Sequence, residues 1–172
     1  MKIKISIKWM QIKFECTPEF IKNICKGRCC EGSKNLLISL LPNEEEKINE
    51  LNIKCYIKNG HLLPKNGTKC PFKNKDELCT LHNTELKPFG CILSPFTLNK
   101  NNTLVIRQRY LMFPCFGKGQ PVYETFRNSL VLLFKEKTDE IITKIKNSTE
   151  DFYVDVDNNI INNIKYLDRI KK

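Results

Sequence analysis

The chain opens with alternating apolar and polar positions and closes with apolar positions at helical spacing. The alternating apolar residues are Ile3, Ile5, Ile7 and Trp9. Alternation of this kind predicts a strand with one buried face. After Pro121 the apolar residues recur at helical spacing, which predicts helices with one buried face. We expect the last of these helices to cover residues 159–170.

Shorter patterns predict the elements in between. Pro42 begins a run with three successive glutamates, and both proline and carboxylates suit the first turn of a helix. We therefore expect a helix over residues 42–51. Alternation over residues 53–57 predicts a short strand, and the pair at residues 66 and 67 predicts a turn. Residues 104–110 are the best candidate strand of the following region.

The distribution of cysteines divides the chain near residue 120. All nine cysteines precede this position. We expect an α+β protein in which residues 1–120 form a small, irregular, cysteine-rich body with short strands, organised by metal. Residues 121–172 are expected to form a helical extension that packs on this body.

The first residues lack the pattern of a secretory signal, because Lys2, Lys4 and Lys8 interrupt any apolar segment. The longest clearly apolar stretch, residues 130–134, is far shorter than the roughly 20 residues of a membrane-spanning helix. The odd number of cysteines also departs from the even count of most disulfide scaffolds. We expect a cytoplasmic protein with reduced thiols and no membrane contact.

The formal net charge of +10 raises the question of nucleic-acid binding. Lysine, however, is spread along the whole chain and is not gathered into a stripe with interleaved aromatic residues. Eight thiolates on two dications would also lower the net charge, to about +6. Nucleic acid is therefore disfavoured as the primary partner, and a partner protein stays open.

Eight cysteines form a series that indicates metal ligation. Thiolates are the soft ligands that zinc and iron–sulfur clusters need. Burial as a small apolar side chain is the alternative for any one cysteine. Four cysteines between residues 16 and 30 make burial alone a poor explanation of the series. The candidate ligands are Cys16, Cys25, Cys29, Cys30, Cys70, Cys79, Cys91 and Cys115.

Two other residues receive different interpretations. Cys55 alternates with Ile53 and Ile57, so packing within a strand is favoured over ligation. His82 follows Cys79 by three residues, and imidazole is a suitable zinc ligand. With eight thiols present, a solvent-facing or hydrogen-bonding histidine is favoured.

The segments around the eight cysteines carry a family resemblance. They are Phe14-Glu15-Cys16, Cys25-Lys26-Gly27-Arg28-Cys29-Cys30, Cys70-Pro71-Phe72, Cys79-Thr80-Leu81-His82, Lys87-Pro88-Phe89-Gly90-Cys91 and Cys115-Phe116-Gly117-Lys118-Gly119. In this order they resemble the YkgJ-type cysteine-cluster proteins, which are described as zinc- or iron-chelating. The resemblance implies metal or cluster binding by these eight cysteines, and it implies no established reaction.

These observations favour one function and leave two alternatives. The favoured function is a metal-binding protein with a structural, redox or adaptor role, holding zinc or an iron–sulfur cluster at one or two centres. One alternative is an iron–sulfur-dependent protein-modifying enzyme such as a lysine methylase, because proteins said to methylate flagellin lysines share this cysteine domain. The other is a zinc-stabilised nucleic-acid-binding protein, which charge alone motivates. The sequence contains no recognised catalytic motif that would decide between an enzyme and a binding protein.

Overall fold

The computed structural model describes residues 1–30, 38–51, 56–63 and 69–170. Helices and strands both occur along the chain, which confirms the α+β class. Packing divides the chain into two compact units. The first unit consists of residues 1–16 and 92–165, and the second lies within residues 17–91 and 166–172. The sequence prediction places a boundary near residue 120, because all nine cysteines precede that position. The boundaries of the two packed units lie at other positions.

The elements of the described residues are short. The strands are β1 (Lys2–Ile5), β2 (Lys13–Phe14), β3 (Ile38–Ser39), β4 (Tyr56–Lys58), β5 (His61–Leu63), β6 (Phe96–Leu98), β7 (Thr103–Ile106), β8 (Gln120–Pro121) and β9 (Phe152–Asp155). The α-helices are α1 (Ile7–Met10), α2 (Pro18–Phe20), α3 (Pro42–Asn49), α4 (Phe89–Leu93), α5 (Val122–Thr125), α6 (Arg127–Phe134), α7 (Thr138–Asn147) and α8 (Asn158–Ile170). Within the described ranges, no helix is both long enough and apolar enough to cross a membrane.

The first unit contains a four-stranded sheet in the order β6-β7-β1-β9. Strand β1 runs parallel to β7 and antiparallel to β9, with Ile5 opposite Leu104 on one side and Phe152 on the other. Ile3, Ile5, Leu104 and Ile106 are buried. The period of two that predicts a half-buried strand thus holds in both central strands.

The strand expected through Trp9 ends at Ile5, and the chain turns into α1. The backbone N–H of Ile7 donates to the carboxylate of Asp151 at 2.9 Å. The N–H groups of Trp9 and Met10 donate to the carbonyl of Ser6, which closes a helical turn. The hydrogen bond to Asp151, which is distant in sequence, therefore outweighs the preference for a strand that the local alternation indicates.

The helices expected from the sequence are present. Helix α3 falls within residues 42–51, and α8 begins one residue before the expected start. The strand expected over residues 104–110 ends at Ile106, because the chain continues as the 3₁₀ turn Gln108–Met112. That turn is closed by the N–H of Tyr110, which donates to the carbonyl of Arg107 at 2.9 Å.

The second unit contains a three-stranded antiparallel sheet in the order β3-β5-β4. Its hydrophobic core consists of the buried side chains Leu40, Ile48, Leu62, Phe72 and Leu81. Cys70 and Cys79 pack against this core. The predictions for Ile53, for Cys55 and for the turn at residues 66 and 67 lie outside the described residues.

Candidate metal centre

Cys70 and Cys79 begin two turns that have the same hydrogen-bond pattern. The thiol of each cysteine accepts a hydrogen bond from the N–H two residues later, which belongs to Phe72 or Leu81. The carbonyl of each cysteine accepts another from the N–H three residues later, at 3.1 and 3.2 Å. The chain therefore repeats one local arrangement to present two sulfur atoms.

Both turns are anchored by the residue that donates to the sulfur. Phe72 and Leu81 are 3% and 7% exposed, and both belong to the core of the second unit. An N–H directed at a thiol favours its ionised form, which is the form that binds metal. A large apolar residue two positions after each cysteine is a sequence signal from which these turns could have been predicted.

Asn74 shapes the loop between the two turns. Its side-chain oxygen accepts hydrogen bonds from the N–H groups of Asp76 at 2.9 Å and Leu78 at 3.0 Å. The loop closes in an antiparallel bridge between Lys73 and Cys79. Asparagine commonly forms such a turn because its short side chain reaches the backbone two residues on.

A left-handed turn leads the chain to Cys30. Lys26 and Gly27 have φ angles of 54° and 57°, and the 3₁₀ turn Arg28–Cys30 follows. The carbonyl of Cys30 accepts the N–H of Cys70 at 3.2 Å. This bond joins the two cysteine-bearing segments of the second unit.

Lys73 also connects the segment that leads to Cys30 with the loop that follows Cys70. Its side chain is 2% exposed, and its ammonium pairs with the carboxylate of Glu77. The ammonium also donates to the carbonyl of Lys26. Hydrogen bonds from Lys73 and then from Lys69 lower the pKa of Glu77 to about 2. A buried lysine with an ionised partner is the expected arrangement, because an unpaired buried charge would be costly.

Cys91 comes from a third segment, in helix α4. Its N–H donates to the carbonyl of Pro88 at 2.8 Å. The next residue after that proline, Phe89, donates its N–H to the carboxylate of Glu44. The same carboxylate accepts the N–H of Leu41 at 2.8 Å, so it joins the start of α3 to the start of α4. Burial raises the pKa of Glu44 despite these hydrogen bonds.

The thiols of Cys30, Cys70, Cys79 and Cys91, here named the four-thiol set, lie close enough to oppose one another's ionisation. Burial raises the pKa of Cys70 to about 12, with added contributions from Cys30 and Cys79. Burial is also the largest cause of the raised pKa of Cys79 and of Cys91, and other thiols of the set add to it. The hydrogen-bonded contact with Cys29 is the largest cause of the raised pKa of Cys30, followed by burial. Without a cation these thiols stay protonated.

Lys87 and His82 form a hydrogen-bonded pair beside the four-thiol set. The positive charge of Lys87 opposes the rise in the pKa of Cys30, Cys79 and Cys91. The ammonium of Lys87 donates to Nδ1 of His82 at 3.1 Å. Burial and then the charge of Lys87 lower the pKa of His82, so the ring is a neutral acceptor. This bond agrees with the hydrogen-bonding role that the sequence favours for His82.

One of the other four predicted ligands, Cys29, contacts the four-thiol set. The sulfur of Cys29 is 3.9 Å from the sulfur of Cys30. Cys25 is buried within the second unit. Cys16 is exposed and Cys115 is buried, and both belong to the first unit. In the part of the chain that the structure describes, no disulfide joins any of the eight predicted ligands.

The donor chemistry of the four-thiol set suits zinc or an iron–sulfur cluster. Four sulfur ligands, two of them with N–H donors, are the set that tetrahedral zinc and such clusters use. In the part of the chain that the structure describes, no group of three or more His, Cys, Asp or Glu side chains is arranged to enclose a metal ion as it stands. Binding would require the thiols to ionise and draw in to the Zn–S distance of about 2.3 Å.

No family model, curated protein or solved structure matches the chain. The resemblance to cysteine-cluster proteins therefore rests on the order and the surroundings of the cysteines.

Proposed function

We propose that the chain binds a metal through Cys30, Cys70, Cys79 and Cys91, and that this centre organises the second unit. The supporting observation is that three chain segments bring four thiols within electrostatic reach of one another. Four neutral thiols buried together gain nothing from one another, but four thiolates around a cation gain its attraction and the N–H bonds to sulfur. The proposed occupant is a zinc ion or an iron–sulfur cluster.

The number of thiols supports a closed centre. Four sulfurs complete a tetrahedral zinc site and also suffice for one cluster, so every coordination position is filled by the protein. A closed centre suits a structural, redox or adaptor role in a reducing compartment such as the cytoplasm. A protein-modifying enzyme would need an open position for its substrate or cofactor.

The proposal covers four of the eight cysteines in the series. Cys16, Cys25, Cys29 and Cys115 stay predictions as ligands, and so does a second centre.

Metal analysis of anaerobically purified protein tests the proposal. We expect zinc or iron in the wild-type protein and loss of most of it in Cys70→Ser and in Cys91→Ser, because each removes a thiolate ligand. Cys55→Ser is the matched control and should retain the metal. Thiolate-to-iron absorption together with bound sulfide would identify a cluster, and zinc without that absorption would identify a zinc site.

Wild-type protein that is metal-free after anaerobic purification and takes up neither zinc nor iron would contradict the proposal. Equal metal content in Cys91→Ser and the wild type would contradict the assignment of ligands.

A further inference from the structure

We propose that Cys29 and Cys30 form a two-thiol binding site for a trivalent arsenical, a compound whose arsenic atom carries one organic group and two exchangeable hydroxyls. The inference stands on the geometry of the adjacent pair and goes beyond the proposed function. It gives a role to Cys29, which lies outside the four-thiol set.

The two sulfur atoms of the pair lie at a chelating distance. They are 3.9 Å apart, and two sulfurs bound to one tetrahedral zinc ion by bonds of about 2.3 Å would be about 3.8 Å apart. Arsenic–sulfur bonds have a similar length, so one arsenic atom can bridge the pair after small side-chain rotations. In the residues that the structure describes, neither sulfur is part of a disulfide.

Hydrogen bonds fix the backbone on both sides of the pair. The N–H of Cys30 donates to the carbonyl of Gly27 at 2.8 Å, across the 3₁₀ turn Arg28–Cys30. The carbonyl of Cys30 accepts the N–H of Cys70 at 3.2 Å. No loop has to close when the second sulfur bonds to arsenic, because the two cysteines are neighbours in a turn that is already formed.

A small reagent can reach the pair from solvent. Cys29 and Cys30 are both half-buried. Arg28, which directly precedes them, is exposed. The turn therefore lies at the surface of the second unit, and the pair is accessible without unfolding.

Arsenical binding is a condensation in which no atom is oxidised or reduced. Each thiol S–H and each arsenic-bound hydroxyl give one arsenic–sulfur bond and one water molecule. The proton of each thiol leaves with a hydroxyl, so the thiols need not be ionised beforehand. The two sulfurs and the organic group complete the three bonds of trivalent arsenic, whereas tetrahedral zinc would need two further ligands. The pair alone therefore suffices for arsenic and does not suffice for zinc.

Binding of phenylarsine oxide to the full chain tests the inference, after a chelator has removed any metal that would compete for Cys30. Intact-protein mass spectrometry should show one arsenical per chain. The adduct should persist in excess mercaptoethanol and disappear in ethanedithiol, because a single thiol competes poorly with a chelate and a dithiol competes well. A wild-type chain that forms no such adduct would overturn the site.

Three variants show whether the adjacent pair holds the arsenic. Cys29→Ser should bind phenylarsine oxide about 100-fold more weakly than the wild type, because chelation is lost. Cys16→Ser is the matched control, since it removes an exposed cysteine outside the pair. Cys70→Ser removes a thiol of the four-thiol set and keeps the pair, and both of these variants should bind as the wild type does. Equal affinity in Cys29→Ser and the wild type, or an equal loss in Cys70→Ser, would overturn the assignment.

A measurement on the wild type alone locates the arsenic even if Cys29→Ser fails to fold. Arg28 and Lys34 flank the pair, so trypsin releases both thiols in one peptide. Alkylation of the arsenical-bound protein in denaturant should modify the other cysteines and leave this peptide unmodified until ethanedithiol is added, because an adjacent pair holds arsenic without the fold. Alkylation of Cys29 and Cys30 before that addition would overturn the inference.

The two proposals fail separately. A chain that takes up neither zinc nor iron but forms the adduct at residues 29 and 30 would overturn the metal centre and support the arsenical site. A chain that binds metal through Cys70 and Cys91 but forms no adduct that resists mercaptoethanol would do the reverse.

Discussion

Gly27 shows at the scale of one residue how the four-thiol set is assembled. Its φ angle of 57° lies in the left-handed region, which side chains disfavour. A Cβ atom at this position would lie 2.8 Å from the carbonyl oxygen of Glu77 and 3.0 Å from Cε of Lys73. The turn before Cys30 therefore needs glycine both for its conformation and for its close approach to the loop that follows Cys70.

Gly27→Ala should lower the free energy of unfolding by about 2 to 4 kcal/mol, from left-handed strain together with contact against a backbone atom. Gly117→Ala is the matched control, because Gly117 has a φ of 76° and no atom within 4 Å of an added Cβ. It should cost only about 1 kcal/mol. Denaturant unfolding of both variants measures the difference, and equal costs would show that the approach to Glu77 is unimportant.

At the scale of elements, the helices and strands that the sequence predicts are those determined by residues close to one another in the chain. Helix α3 begins with proline and carboxylates, and β1 begins with regular alternation, so both follow from neighbouring residues. The end of β1 does not follow from them, because the N–H of Ile7 finds its acceptor in Asp151, 144 positions away. The order of the eight cysteines was enough to single them out as candidate ligands. Which of them form the four-thiol set could not be predicted, because that set is brought together by three separate chain segments.

The link between α3 and α4 also depends on residues far apart in sequence. The carboxylate of Glu44 accepts N–H groups from Leu41 and Phe89, and the second of these begins the helix that carries Cys91. Glu44→Ala should cost about 2 kcal/mol of unfolding free energy, because two N–H groups lose their acceptor. Glu44→Gln retains one oxygen acceptor but turns its NH2 donor toward the other N–H, so it should cost at least about 1 kcal/mol. A cost below about 0.5 kcal/mol for Glu44→Ala in denaturant unfolding would argue against this link.

Glu44 should also give the stability a pH dependence. Burial raises its folded-state pKa above the ordinary value of 4.5. Its contribution is therefore fully present below that value and declines as the pH rises through the raised pKa. The unfolding free energy of the wild type relative to Glu44→Gln should be larger near about pH 4 than near about pH 7. Denaturant unfolding at both pH values measures this, and a difference that grows with pH would contradict it.

At the scale of the whole molecule, the four-thiol set belongs to one of two compact units. The second unit has a small core of short elements, and Cys70 and Cys79 are packed against it. The first unit has its own four-stranded sheet with fully buried Ile3, Ile5 and Leu104. The proposed metal should therefore stabilise the two units unequally, because a small core gains more from an added centre.

Hydrogen exchange with and without a strong chelator should reveal this inequality. Removal of the proposed metal should speed exchange at the amides of the two cysteine turns, including those of Phe72 and Leu81, because these N–H groups donate to two of the sulfurs proposed as ligands. Amides of β1 and β7 should keep most of their protection. Cys91→Ser should show the same pattern without chelator, whereas Cys55→Ser should resemble the metal-bound wild type. Equal loss of protection in both units would show that the centre supports the whole chain, and no loss in either would show that folding does not depend on metal.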